Sequence, residues 1–188
     1  MVSGTRIKMV EGAARLLAQH GLQETSFSEV LELTGAPRGS IYHHFPSGKD
    51  QLIASAIDLA GDRAIRLIDE MAGASAVDVT TRFLEMWRLV LAKSNFQAGC
   101  SVLAVTIATD SANLLDHASA VFRLWRGRLA ELLQDGGLLP ADAIRFAATL
   151  IAASEGAVVV SRAEQSLEPF DLVTEQLVSL VEGLAKRA

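Results

Sequence analysis

The chain has 188 residues, 50% of them hydrophobic and 21% charged, which is enough apolar material for a sizeable core and excludes a disordered chain. One cysteine, Cys100, excludes an internal disulfide and fits a reducing compartment. The start of the chain carries no apolar block of signal-peptide type, and the longest apolar stretches fall short of a membrane span, so a cytoplasmic protein with no membrane partner is expected.

Nearly every segment repeats its apolar residues with a helical period, and none alternates like a strand. The expected class is all-α, with about nine helices. A first helix is expected from about Thr5 to His20, with Ile7, Val10, Ala14 and Leu17 as its apolar stripe and Gly21 as its stop. Thr25 and Ser26 offer hydroxyl caps for a short second helix, and Glu29 is spaced to complete a capping box on Ser26. That helix buries Phe27, Val30 and Leu31 and is broken by Gly35. Pro37 fits only a first turn, so it opens a third short helix that runs through Phe45. Ile41 and Phe45, four apart, face inward, which leaves Arg38, Gly39, Ser40, Tyr42, His43 and His44 on the other faces. Two short helices around a tight glycine-containing turn make a helix-turn-helix.

Pro46-Ser47-Gly48 reads as a turn, with Ser47 placed to cap a fourth helix from Lys49 to Met71. In that helix Ile53, Ile57, Ala60, Ala64, Leu67 and Met71 recur at alternating spacings of four and three, over a length of about 35 Å. Gly73–Ala76 is the linker candidate. Helices over Val77–Lys93, Gly99–Thr109, Ser111–Gln134, Ala141–Ala163 and Asp171–Lys186 follow, separated by Asn95, Asp110, Gly136–Pro140 and Glu168-Pro169. The expected organisation is a helix-turn-helix domain over residues 1–48 and a helical body over 49–188, with the helix at 49–72 as the connection.

Residues 21–52 carry a family resemblance. The stretch Gly21-Leu22-Gln23-Glu24-Thr25-Ser26-Phe27 is similar to the approach to the second helix in regulators of the TetR/AcrR type. Gly39, Tyr42-His43-His44-Phe45 and the following Lys49 resemble the recognition helix and the start of helix four of that family. Gly99-Cys100-Ser101-Val102, Glu155-Gly156-Ala157-Val158, Arg162-Ala163 and the Gly48 before Lys49 are similar to its LmrA/YxaF-like branch. Pro37 departs from the pattern, standing where the family has a small capping hydroxyl. Leu31 and Leu33-Thr34 replace an alanine-rich stretch.

The resemblance implies a transcriptional regulator, most readily a repressor, that grips palindromic operator DNA as a homodimer and is released by a small hydrophobic effector. The formal charge of −5 lies entirely in residues 51–188, and residues 1–50 are balanced, which is compatible with a DNA-binding head. In such a motif the start of the third helix enters the major groove. Arg38, Ser40 and His43 are then expected to read sequence, with Gly39 allowing close backbone approach and Tyr42 on phosphate or a thymine methyl. Thr25, Ser26 and Lys49, at helix starts, are expected near phosphates, and His44 is shared between DNA and the packing under it.

The body is expected to hold the effector among Phe83, Met86, Trp87, Cys100, Phe122, Trp125 and Glu155, the last a lone acid on an otherwise apolar helix. A coiled-coil-like seam of Val173, Leu177, Leu180 and Leu184 with the small residues Ala148, Ala152 and Gly156 is expected to join two subunits. The rival readings are a purely internal core for these aromatic and small residues, a DNA-free ligand-binding or scaffold dimer, and an activator of the same fold. An enzyme is not expected. Cys100, His117 and Asp110 or Asp116 match no catalytic spacing, one Cys and four scattered His give no metal-ligand pairs, no glycine-rich phosphate loop is present, and no cofactor is expected.

Overall fold

The computed structural model describes residues 4–187. Among them are nine helices and no strand: α1 (Gly4–Glu24), α2 (Phe27–Thr34), α3 (Arg38–His44), α4 (Lys49–Asp69), α5 (Ala76–Lys93), α6 (Ser101–Thr106), α7 (Ala112–Asp135), α8 (Pro140–Glu164) and α9 (Glu168–Ala185). They form two compact units that are not continuous in sequence. The first holds the described residues up to Arg63 with Cys100–Phe122, and the second holds Ala64–Gly99 with the described residues from Arg123 on. Compactness therefore draws a different line from the functional boundary expected at residue 48.

In the first unit, α1 buries Met9, Val10, Ala13, Leu16 and Leu17. Ile7, expected on that stripe, is 47% exposed, and Met9 takes the inward place. Gly21, at φ 79°, interrupts the helical backbone, and its carbonyl accepts the Thr25 hydroxyl at 2.7 Å. A left-handed φ suits glycine, which has no Cβ to clash. The capping box of α2 forms in both directions: the Glu29 N–H donates to Ser26 Oγ at 3.2 Å, and the Ser26 N–H donates to Glu29 Oε2 at 2.8 Å. Gly35, in the left-handed region, closes α2 by donating its N–H to the Leu31 carbonyl at 2.9 Å. Where α1 meets α2, a Cβ at Gly12 would lie 2.6 Å from the Thr34 methyl, so the two helices touch backbone to side chain.

Helix α6 packs on α1. The first half of α7 packs on α4, and a Cβ at Gly61 would meet Val121 at 2.8 Å. Ser111 donates to Asp50 at 2.8 Å, and His117 Nδ1 lies 2.8 Å from Asp58. The fourth helix keeps Ile53 and Ile57 inside, but Leu67 is exposed and Ile68 is buried in its place; it ends at Asp69, and Met71 is buried in the turn that follows. The inward face has turned by one residue after Gly61, which a fixed four-three count does not follow.

In the second unit, α5, α8 and α9 pack on one another and on the end of α7. Phe83, Leu84, Leu91, Phe146, Leu150, Val158, Phe170, Leu177 and Val181 form the core with Trp125, Leu129 and Leu133. Arg88 and Asp171 tie α5 to α9 through two hydrogen bonds, at 2.8 and 3.1 Å. Pro140 and Pro169 each occupy a first helical turn, where the missing N–H is unneeded. That is why α9 starts at Glu168 and not at Asp171. Helix α8 is long and apolar enough to cross a membrane by composition, yet its Phe146, Ala147, Leu150, Ile151, Ala157 and Val158 are buried within this unit.

Candidate functional site

The short third helix exists because its ends are set from outside. Pro37, in extended geometry at φ −62° and ψ 135°, stands at the N-cap without a side-chain cap of its own, where the expected family pattern has a hydroxyl. The Ser40 hydroxyl, expected to read sequence, donates to the Pro37 carbonyl at 2.6 Å and so adds no acceptor for the first-turn N–H groups. Ile41 and Phe45 are buried and root the helix. The Arg6 guanidinium stacks over the Phe45 ring at 5.2 Å and donates to Ser55 at 3.0 Å, so α1 holds the end of α3 and the first turns of α4 together.

On this base Arg38, Gly39, Tyr42 and His43 are exposed along one side of α3. Tyr42 is 70% exposed, and its ring meets Phe27 of α2 edge to face, with centroids 6.0 Å apart. His43 and His44 stand edge to face at 5.1 Å, with His44 half-buried. Both lie in the last turn of α3. The face thus offers a guanidinium fork, a phenol, two imidazoles and a bare backbone position, a set able to contact base edges and phosphates.

The residues expected at helix starts are placed differently. Thr25 is 1% exposed and its hydroxyl is engaged by the Gly21 carbonyl, so it builds the turn and does not reach a phosphate. Ser26, half-buried, accepts the Glu29 N–H. Lys49 is half-buried and donates through Nζ to the Leu22 carbonyl at 3.0 Å, which leaves two of its three donors. The Ser26 backbone N–H, then the Ser26 hydroxyl, hold the Glu29 carboxyl below its ordinary value, helped less by His20 and Lys49. Phe27 and Arg6 escaped the sequence reading as functional positions: Arg6 lies 49 residues from Ser55, and no local pattern announces such a contact.

Of the residues expected at an effector site, Phe83, Trp87, Trp125 and Glu155 are buried and Met86 is half-buried in the second unit. The Trp87 Nε1 has no hydrogen-bond partner in that interior. Cys100 and Phe122 belong to the first unit, where Cys100 Sγ accepts the Leu103 N–H at 3.4 Å and caps α6. His117 is engaged with Asp58 and not with Cys100, Asp110 or Asp116. Of the residues expected at a dimer seam, Ala148, Ala152, Gly156 and Leu180 are exposed, and Val173 and Leu184 are half-buried. Leu177 is 4% exposed and packs inside its own unit, so it is not on the outer face. Ile144, Val159, Val160 and Leu172, which were not singled out, are exposed. A strict heptad reading missed them because the helix pair buries one face internally and leaves the next face outward.

Residues 9–56 match the family model described as bacterial regulatory proteins, tetR family, and residues 76–176 match that of the transcriptional regulator LmrA/YxaF-like C-terminal domain. The chain is 34% identical over 187 residues to the HTH-type transcriptional regulator Rv0196 of Mycobacterium tuberculosis (strain ATCC 25618 / H37Rv), covering 96% of this chain and 95% of that protein. It is 27% identical to the HTH-type regulator YxaF of Bacillus subtilis (strain 168), over 94% of this chain and 95% of the other. A solved TetR transcriptional regulator of Chloroflexus aurantiacus is 29% identical, with a TM-score of 0.77 over 95% of this chain and 94% of that one. The regulatory protein TetR of Rhodobacter sphaeroides shares the fold at a TM-score of 0.85, over 94% of this chain and 98% of that one. A helix-turn-helix whose recognition face stands outward, a matching N-terminal model and a full-length relative agree: the chain belongs to the TetR family of bacterial transcriptional regulators, which are not enzymes, and its C-terminal domain is of the LmrA/YxaF-like type.

Proposed function

We infer that this protein is a cytoplasmic, ligand-responsive repressor that binds a palindromic operator as a homodimer and is released by a small hydrophobic effector. The observation that carries the reading is the outer face of α3, where Arg38, Tyr42 and His43 stand exposed above a buried Ile41 and Phe45. Arg38 reads a guanine edge, Tyr42 takes a phosphate or a thymine methyl, and His43 joins them in the major groove. Lys49 uses its remaining donors on a phosphate, and Ser26 contributes at the start of α2. Functionally, residues 1–48 are the DNA-binding domain, and residues 49–188 bind effector and form the dimer.

Dimerisation is supported by an outward apolar stripe on α8. Ile144, Ala148, Ala152, Gly156 and Val159 or Val160 recur at three- and four-residue steps, and Leu172 and Leu180 stand out on α9. Helices with small residues on such a stripe approach closely, and two α8–α9 pairs make a four-helix interface. A dimer places two heads on half-sites about 34–36 Å apart. The buried aromatic residues Phe83, Trp87 and Trp125 support an apolar effector site, with Trp87 Nε1 and the buried Glu155 as its polar features.

The test is fluorescence anisotropy of the purified protein on the DNA flanking its own gene, across a salt series, with Arg38→Ala and Tyr42→Ala beside it. Tight, salt-sensitive binding to one palindromic stretch, lost in both variants, is the expected result. Binding with no sequence preference at any salt would sink it. Raised transcription from that promoter in vitro would turn the same contacts into those of an activator.

A further inference from the structure

Two motifs of the C-terminal part, Gly99-Cys100 and the Arg162 on α8, are 63 residues apart and meet in the structure. After α5 the chain passes through Asn95 and Phe96, at φ 49° and 60°, two successive non-glycine residues in the left-handed region. Asparagine tolerates that region, but a bulky residue such as Phe96 is uncommon there and persists where neighbours hold it. The Phe96 N–H donates to the Leu91 carbonyl at 2.8 Å, and the Ala98 N–H donates to Ser94 Oγ at 3.1 Å. The carbonyls of the next two links go to Arg162: Nε donates to Phe96 O, and Nη2 donates to Gln97 O, each at 3.3 Å. At Gly99 a Cβ would lie 2.9 Å from Arg162 Nη1 and 3.2 Å from Arg162 Cδ. The arginine side chain therefore occupies the space where a side chain at position 99 would stand.

Gly99 is bonded to Cys100, the residue that caps α6, and α6 packs on α1 of the helix-turn-helix unit, where Gln23 also donates to the Ala108 carbonyl at 3.3 Å. The loop is thus the covalent start of the helix that supports α1. Arg162 sits on the same helix as Glu155, seven residues further on and so on a similar face two turns away.

We propose that Arg162 is a positioning residue that clamps the strained 95–99 loop and so sets the start of α6, passing the state of α8 to the DNA-binding helices. This rests on the effector-responsive reading above. An effector that displaces α8 by a fraction of a turn withdraws the guanidinium, frees the two carbonyls and lets the loop leave its left-handed conformation. The clamp is a two-state element of the kind that coupling between distant sites requires.

A double-mutant cycle tests it, with Gly99→Ala, Arg162→Ser and both together, read by operator affinity and by amide hydrogen exchange over residues 94–106. Each single variant is expected to speed exchange in that segment and leave α8 and α9 amides unchanged. Each should also lower operator affinity, by a factor within about two- to thirtyfold. The double variant is expected to be no worse than the worse single, because without the guanidinium a Cβ at 99 has room. Should Arg162→Ser unfold, Arg162→Lys keeps the stem and charge but not the fork, and is expected to show the same exchange change. Additive effects, or wild-type exchange in both singles, overturn the clamp. Faster exchange with wild-type operator affinity overturns the transmission. If the wild type binds no operator, it is the repressor reading that fails, and the exchange cycle still decides the clamp.

Discussion

The outer face of α3 and the turn between α1 and α2 carry the same kinds of side chain and put them to opposite use. On α3 the guanidinium of Arg38 and the phenol of Tyr42 stand exposed, on a helix rooted by the buried Ile41 and Phe45. At the turn the hydroxyl of Thr25 and, reaching over from the start of α4, the ammonium of Lys49 donate to the carbonyls of Gly21 and Leu22. A polar residue beside a helix start satisfies the backbone first, because a buried carbonyl without a partner costs more than a hydrogen bond to a ligand gains. The motif therefore divides into residues that we propose read DNA and residues that build the fold. Residue type alone does not sort them.

The division can be broken from either side. The largest effect is expected from Arg38→Ala, where loss of a bidentate base contact costs about 1–3 kcal/mol of operator affinity and relaxes the preference at one base pair. Competition with single-base operator variants measures this, and the melting temperature is expected to stay at the wild-type value. Thr25→Val should do the reverse. It frees the Gly21 carbonyl and lowers stability by about 1–2 kcal/mol in urea unfolding, with operator affinity kept where the protein is folded.

Ser26→Ala removes the cap of α2 and is expected to cost about 1 kcal/mol. Its partner adds a pH signature. Glu29 is held below its ordinary value of 4.5 in the folded protein, so its share of stability is complete above that value. It is lost as the pH falls through the lowered folded value. In Glu29→Gln this acid-side loss should vanish from a pH series of urea midpoints. The smallest effect is expected from Lys49→Met, which stands on both sides of the division. The slope of log K against log salt should fall by about 0.9, one phosphate contact, with stability changed by less than about 1 kcal/mol. An unchanged slope would move Lys49 wholly to the building side.

Most of the head was legible because its signals are local. The Ser26–Glu29 box and Gly35 set helix ends within a few residues of themselves and both form, Pro37 stands at the N-cap of α3, and Gly21 breaks the helical backbone inside α1, which runs on to Glu24. The periodic count failed where a third element decides. Ile7 is turned out and Met9 in, and the inward face of α4 passes from Ile57 through Gly61 to Ile68, because Val121 presses on Gly61 from another helix. Leu177 matched a seam by spacing but belongs to the packing of α9 on α5 and α8. Thr25 looked like a phosphate ligand and is a turn residue, since a hydroxyl four residues after a broken helix finds that helix's last carbonyl first. The meeting of Arg162 with the loop that ends at Gly99 was visible only as two separate likenesses, and neither spacing nor period joins positions so far apart.

The division between reading and building stands or falls on Tyr42→Ala and Thr25→Val, each assayed for operator affinity by anisotropy and for stability by urea unfolding under one buffer. Tyr42 is 70% exposed and Thr25 is 1% exposed, so the two variants should fail in different assays. The predicted result is a Tyr42→Ala protein as stable as wild type that binds operator at least about fivefold more weakly, and a Thr25→Val protein that is less stable and binds as wild type. Wild-type operator binding by folded Tyr42→Ala, or loss of binding by fully folded Thr25→Val, would contradict the assignment.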